Sequence, residues 1–146
     1  IGSAIASQIA SMKVTEQVDA LEVMGINSKS YLVLPKIIAS VIMFPLLVIL
    51  ASAVALYTSY FTCVNFLNIS HDAFLYGIRM NFEMYIVWVS IFKSAVFAFL
   101  IASISSYFGY HTYGGALEIG KTTTKAVSIG SIAILISNYI IVKAFM

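Results

Sequence analysis

Charge is scarce in this chain, and cysteine and proline are scarcer. Only 10% of its 146 residues are Asp, Glu, Lys or Arg, while 61% are apolar and the mean hydropathy is +0.99. Soluble domains carry roughly a quarter charged residues, so a water-soluble globule is excluded. A single cysteine, Cys63, rules out an intrachain disulfide and reads as a small apolar filler. The net charge of +2, with no basic cluster, gives no footprint for nucleic acid. His71 has no second His or Cys nearby, and Asp72 alone does not make a metal site. The two prolines, Pro35 and Pro45, both fall in or beside one long apolar stretch.

What is present is hydrophobic length. No charged residue occurs from Ile37 to His71, from Ser94 to Leu117, or from Ala126 to Val142. A membrane-spanning helix needs about 20 apolar residues, so the expected fold class is all-α and polytopic. The spans are expected at about Ile37 to Phe61, Met84 to Phe108 and Ala126 to Met146. The opening Ile1-Gly2-Ser3, without an initiator Met or signal peptide, reads as the tail of a preceding helix already under way. Residues 1–146 are then one membrane domain whose N-terminal part is absent.

Against this background stands one polar stretch, Thr15-Glu16-Gln17-Val18-Asp19-Ala20-Leu21-Glu22-Val23-Met24-Gly25. It holds three of the six carboxylates within seven residues. Thr15 is expected as N-cap, Glu16 in the first turn, and Gly25 as the residue just past the end, before the turn-like Asn27-Ser28. Glu16, Asp19 and Glu22 recur every three residues on one side, with Val14, Val18, Leu21 and Gly25 on the other. Such a helix is either a solvated loop at the membrane surface or a docking helix for a soluble partner.

Small residues mark close helix packing. Gly2, Ala6 and Ala10, and Ser3, Ser7 and Ser11, form two ladders at spacing four, and Ala98, Ala102 and Ser106 form a third. Gln8 is expected to face protein rather than lipid. Pro35 suits a first helical turn, whereas Pro45 sits inside its span and kinks it. Tyr57, Tyr60 and Phe61 form an aromatic belt at the far end. The connection from Thr62 to Glu83 is long enough for a short surface helix. Its Asn68-Ile69-Ser70 fits the glycosylation triplet, which matters only in a eukaryotic secretory setting. Lys93 lies about ten residues into its span, where an ammonium is costly unless paired. It is either a structural lysine that snorkels or pairs with another helix, or part of a transport path.

From Gly115 to Thr122 the chain fits G-x-x-x-x-G-K-[ST] letter for letter. That motif cradles phosphates only between a buried strand and a helix. Here it follows a membrane helix and an aromatic loop, so nucleotide binding is not expected. Thr122, Thr123 and Thr124 are expected to cap the last span.

Lys13, Lys29 and Lys36 flank the acidic helix, and Lys121 and Lys125 lie in the glycine-rich loop, against Arg79 alone in the other connection. Five basic residues against one place the acidic helix and the glycine-rich loop on the cytoplasmic side.

Glu16 to Gly25, preceded by Met12-Lys13-Val14-Thr15, resembles the E-Q-[IV]-D-A-L-E-x-M-G signature of MlaE-type permeases. The similarity continues through Leu34-Pro35-Lys36, Ile91 to Phe97 and Gly120 to Val127, and so covers nearly the whole chain. The resemblance implies the membrane subunit of an ABC transporter in the bacterial inner membrane, working as a homodimer with a cytoplasmic ATPase and a periplasmic MCE-domain protein on phospholipid. It implies that Glu16, Gln17, Asp19, Leu21, Glu22 and Gly25 form the coupling helix that docks in the ATPase. It also implies an interfacial helix and two further spans before this segment, of which only the end of the second is present. ATP and Mg would sit on the partner, with no cofactor and no catalytic residue on this chain. Family members often have A-A-E-L-G where this chain has Ala6-Ser7-Gln8-Ile9-Ala10, so Gln8 replaces a carboxylate. Gln8 and Lys93 are the candidates for a substrate path. The competing classes are an ion-coupled carrier or channel, which needs ionisable groups along its spans, and a membrane scaffold, which binds no ATPase.

Overall fold

The structure, a computed structural model, describes residues 1–67 and 69–145. Asn68, and with it the acceptor of the glycosylation triplet, lies outside the described residues, as does Met146, the expected end of the last span. The chain folds into α1 (Gly2–Val14), α2 (Gln17–Val23), α3 (Ser28–Asn65), α4 (His71–Asn81), α5 (Met84–Tyr110) and α6 (Ala116–Phe145). Among the described residues there is no strand. Helices α3, α5 and α6 are each long and apolar enough to cross a membrane. The expected all-α architecture, with three spans and a short intervening helix, is therefore observed.

Helix α5 is the axis of the bundle: α1, α3 and α6 all pack on it, and α1 also lies against α6. The α1–α5 contact is built from small residues. Ala6 and Ala10 of α1 and Ala98 and Ala102 of α5 are fully buried. A Cβ on Gly109 would stand 2.8 Å from the Ala6 carbonyl oxygen and 3.0 Å from Ile9 Cβ, and one on Gly2 would stand 2.9 Å from Ser105 Oγ. Gly2 beside Ser105 and Ala6 beside Gly109 advance together, so α1 and α5 run parallel. The buried cluster is Ile5, Ile9 and Ala102, flanked by Val33, Ile37 and Tyr110. The glycine–alanine ladder of α1 therefore faces the core, while Ser3 and Ser11 of the serine ladder are exposed.

Two helix starts differ from expectation. The first span's helix begins at Ser28, with the Asn27 side chain accepting from the Ser30 N–H at 3.3 Å, so both Pro35 and Pro45 lie inside α3. Pro35 is thus not a first-turn proline; the Asn27 cap supplies the start that its ring was expected to provide. Helix α6 begins at Ala116, so the phosphate-loop look-alike is helical from that residue on. Thr123 and Thr124 do not cap it: their hydroxyls donate back to the Ile119 and Gly120 carbonyls, at 2.7 and 3.1 Å.

The connection after α3 does contain a short helix, α4, with Ser70 Oγ accepting from the Ala73 N–H at 3.3 Å. His71 meets Tyr60 there, Nδ1 to hydroxyl at 2.9 Å, which ties α4 to the end of α3.

A Gly109→Val substitution should force α1 off α5, because the obstacle is backbone that cannot rotate away. Overpacking of this kind costs about 1–3 kcal/mol. Thermal unfolding in detergent should show the loss, with Gly120→Val, at an open position, as the milder control.

Candidate functional site

The polar stretch forms a corner at one end of the bundle. Thr15 closes α1 rather than opening α2: its hydroxyl donates to the Ser11 carbonyl at 2.9 Å. Glu16 is the N-cap of α2 and takes a left-handed backbone, φ 61°, which turns the chain sharply between the two helices. A side-chain-bearing residue there stores about 1–3 kcal/mol of strain and persists only where its surroundings hold it. Here the Glu16 N–H donates to Lys13 and its carbonyl accepts from Ala20. The other end follows expectation. Gly25 has φ 77°, its N–H donates to Glu22, and the Ile26 N–H donates to Leu21, the double bond of a Schellman ending.

Within α2, Val18 is fully buried and Leu21 half-buried, so the apolar side faces inward as expected. The three carboxylates have different fates. Asp19 pairs with Lys13 Nζ at 2.6 Å, and that bond holds the Lys13 ammonium above its ordinary pKa. Glu22 accepts from Ser28 Oγ at 2.7 Å and from Tyr110 Oη at 2.9 Å. The two hydroxyls lie 3.0 Å apart; with both protons on Glu22, neither has one for the other. These bonds, Ser28 first and then Tyr110, pull the Glu22 carboxyl below the usual carboxylate range. Glu16 makes no side-chain bond among the described residues and is exposed, as is Gln17.

Tyr110 is the hub of this corner. Its hydroxyl holds Glu22, and the Lys13 and Lys29 ammoniums stand 5.7 and 5.3 Å from its ring centroid. Lys13 also lies 5.8 Å from the Tyr113 ring. Three helices therefore converge on α2: α1 through Lys13, α3 through Ser28, and α5 through Tyr110. The sequence reading missed Ser28 and Tyr110. The only signal was an aromatic cluster ending α5, which looks like an interfacial belt. The reading also passed over the outward surface of α2, where Val23 and Met24 are 89% and 65% exposed.

The two substrate-path candidates occupy different grooves. Gln8 accepts from Lys36 Nζ at 2.9 Å, beside α3. Lys93 lines a cavity of about 370 Å³ between α5 and α6 with Glu83, Ser90 and Phe145, and lies 5.8 Å from the Phe97 ring. Among the described residues Lys93 forms no salt bridge; the two ion pairs found are Lys13–Asp19 and Lys121–Glu118.

A family model described as Permease MlaE matches residues 1–144. The chain is 41% identical over 98% of its length to a probable ABC transporter permease protein of Rickettsia typhi, covering 55% of that protein. It is 37% identical over 95% of its length to a probable ABC transporter permease protein of Synechocystis, covering 53% of it. It is 32% identical over 99% of its length to the chloroplastic protein TRIGALACTOSYLDIACYLGLYCEROL 1 of Arabidopsis thaliana, covering 41% of it. The chain thus spans about half the length of the first two of these relatives.

Because the Glu22 carboxyl is lowered in the folded state, its stabilisation of the corner is full above its ordinary value of 4.5 and is lost as pH falls through the folded value. Amide hydrogen exchange across Gln17–Val23, taken relative to the intrinsic unprotected rate at each pH, should accelerate on acidification below that value. Tyr110→Phe should accelerate it at neutral pH, and Glu22→Gln should remove the acid step.

Proposed function

Since the chain belongs to the MlaE permease family, we propose that it is the membrane subunit of an ABC transporter that moves phospholipid between the bacterial inner membrane and a periplasmic MCE-domain protein. The observation that carries this function is α2 itself, a short exposed helix braced by three bundle helices at one end of the molecule. A helix loosely attached to a loop would absorb a push; one tied to α1, α3 and α5 passes it to all three. The names of the bacterial relatives support an ABC permease, and the Arabidopsis relative is named for a galactolipid.

In this scheme the α2 end faces the cytoplasm, where Lys13, Lys29, Lys36, Lys121 and Lys125 outnumber Arg79. A separate ATPase binds ATP and Mg and seats α2 in a groove. Glu16, Gln17, Val23 and Met24 form the exposed docking surface, and Asp19, Leu21, Glu22 and Gly25 fix its shape and position. Two copies of the permease enclose the lipid path, with Lys93 steadying it or meeting a headgroup and Gln8 lining its wall. No chemistry occurs on this chain and no nucleic acid is bound.

Affinity purification of the full-length protein in mild detergent should recover an ABC ATPase, an MCE-domain protein and phospholipid. Val23→Asp with Met24→Asp should abolish recovery of the ATPase while the permease stays in the membrane, and Glu16→Ala with Asp19→Ala should weaken it. Undiminished ATPase recovery and transport in both variants would rule out docking through α2. A protein that never brings down an ATPase, even after crosslinking, would favour the carrier, channel or scaffold.

A further inference from the structure

No Gly, Pro or Asn stands between Lys13 and Leu21, yet the chain turns sharply there. The turn depends on one residue. Among the described residues Glu16 alone, apart from glycine, has a left-handed backbone, φ 61°. That conformation suits Gly, Asn or Asp, whereas Glu16, Gln17, Ala20 and Leu21 are good helix formers. The bend also leaves backbone groups unused. The Gln17, Val18 and Asp19 N–H groups have no hydrogen-bond partner among the described residues, and no side chain caps them. On a continuous helix they would donate to the carbonyls of Lys13, Val14 and Thr15. Local preference and observed shape therefore disagree at this joint.

What holds the bend is tertiary. Lys13 reaches Asp19, six residues on, a spacing that no continuous helix brings together. Val18 is buried, and Glu22 is fixed by Ser28 and Tyr110. We propose that the joint of α1 and α2 is a two-state hinge. In the bent state, the one observed, Glu16 is left-handed and Lys13 pairs with Asp19. In the straight state Glu16 is helical, Gly2–Val23 is one helix, and Lys13 pairs with Glu16, three residues on. The connection to α3 permits the change. Straightening carries Val23 about 14 Å past Val14, and a packed neighbour such as α3 lies about 10 Å to the side, which together make about 17 Å. The five Cα steps from Val23 to Ser28 reach about that far. Gly25, within that stretch, has open space around it and is free to extend. Only the bent state lets α1, α3 and α5 brace α2. On the transporter reading, which supplies only the driver, the ATPase seats α2 in the bent state, and the straight state is the disengaged subunit.

Double electron–electron resonance reads the hinge, with spin labels at Ser3→Cys and Ala20→Cys in the full-length protein carrying Cys63→Ser. Singly labelled protein gives the background from distances between copies. The straight state sets the two sites about 26 Å apart along one helix, and the bent state sets them closer. Without its ATPase the protein should show both distances. Asp19→Asn, which removes the latch, should enlarge the long one. Glu16→Gly and Glu16→Ala delete the same carboxylate, yet Gly takes the left-handed backbone freely and weakens a helix, and Ala does neither. The straight-to-bent ratio should therefore be about thirtyfold higher with Ala than with Gly. Because Gly suits the observed bend, that variant should unfold at or above the parent temperature. Adding the ATPase should deplete the long distance. A single distance in the parent and all three variants, or equal ratios with Gly and Ala, would overturn the hinge. Ratios that follow the substitutions but ignore the ATPase would keep the hinge and remove the ATPase as what selects the bend.

Discussion

The absence of a side chain at Gly109 governs the end of the molecule where α2 sits. With only hydrogen there, the Ala6 backbone of α1 comes so close that a Cβ would lie 2.8 Å from its carbonyl oxygen. That contact fixes both the spacing and the direction of α1 against α5. About two turns further along α1 and at the next residue of α5, Lys13 and Tyr110 meet, and Lys13 is then in reach of Asp19. Burial of large side chains contributes less here than in a soluble core: the buried cluster is Ile5, Ile9 and Ala102. In a lipid setting this is expected, because helix association draws on close backbone packing rather than on removing apolar surface from water.

The same economy of bulk explains which features could be read from the residues. Three spans follow from charge-free length, and the α1–α5 contact from the glycine–alanine ladder, because both are periodic properties of single helices. Gly25 was legible because only its backbone freedom suits that ending. Helix starts were less so. Thr15 looks like an N-cap, yet its hydroxyl is spent on Ser11, and Glu16, poorly suited to a left-handed backbone, makes the corner instead. Asn27 capped α3 eight residues ahead of Pro35, which no local pattern around the proline reveals. The threonines before the third span satisfy carbonyls one turn back, a choice decided by where the helix had already begun.

Charge followed tertiary rather than local logic. The three carboxylates of the polar stretch look like a solvated acidic face in sequence, since their natural partners on a helix would be residues three or four apart. Their actual partners come from elsewhere: Lys13 from α1, Ser28 from α3, and Tyr110 from a position 88 residues away. With two of the three turned to bracing, two large apolar side chains, Val23 and Met24, stand exposed at the end of α2. In the proposed transporter these two side chains would belong to the surface that the ATPase covers.

Bracing and exposure are connected in one residue. Tyr110 spends its hydroxyl on Glu22 and its ring faces on two ammoniums, so α2 cannot move without moving the end of α5. In the proposed transporter this makes α5 the lever: displacement of α2 by an ATPase reaches Tyr110 first and then runs up a helix whose farther half carries Lys93. The lever is stiff because α5 is gripped on three sides, by α1, α3 and α6.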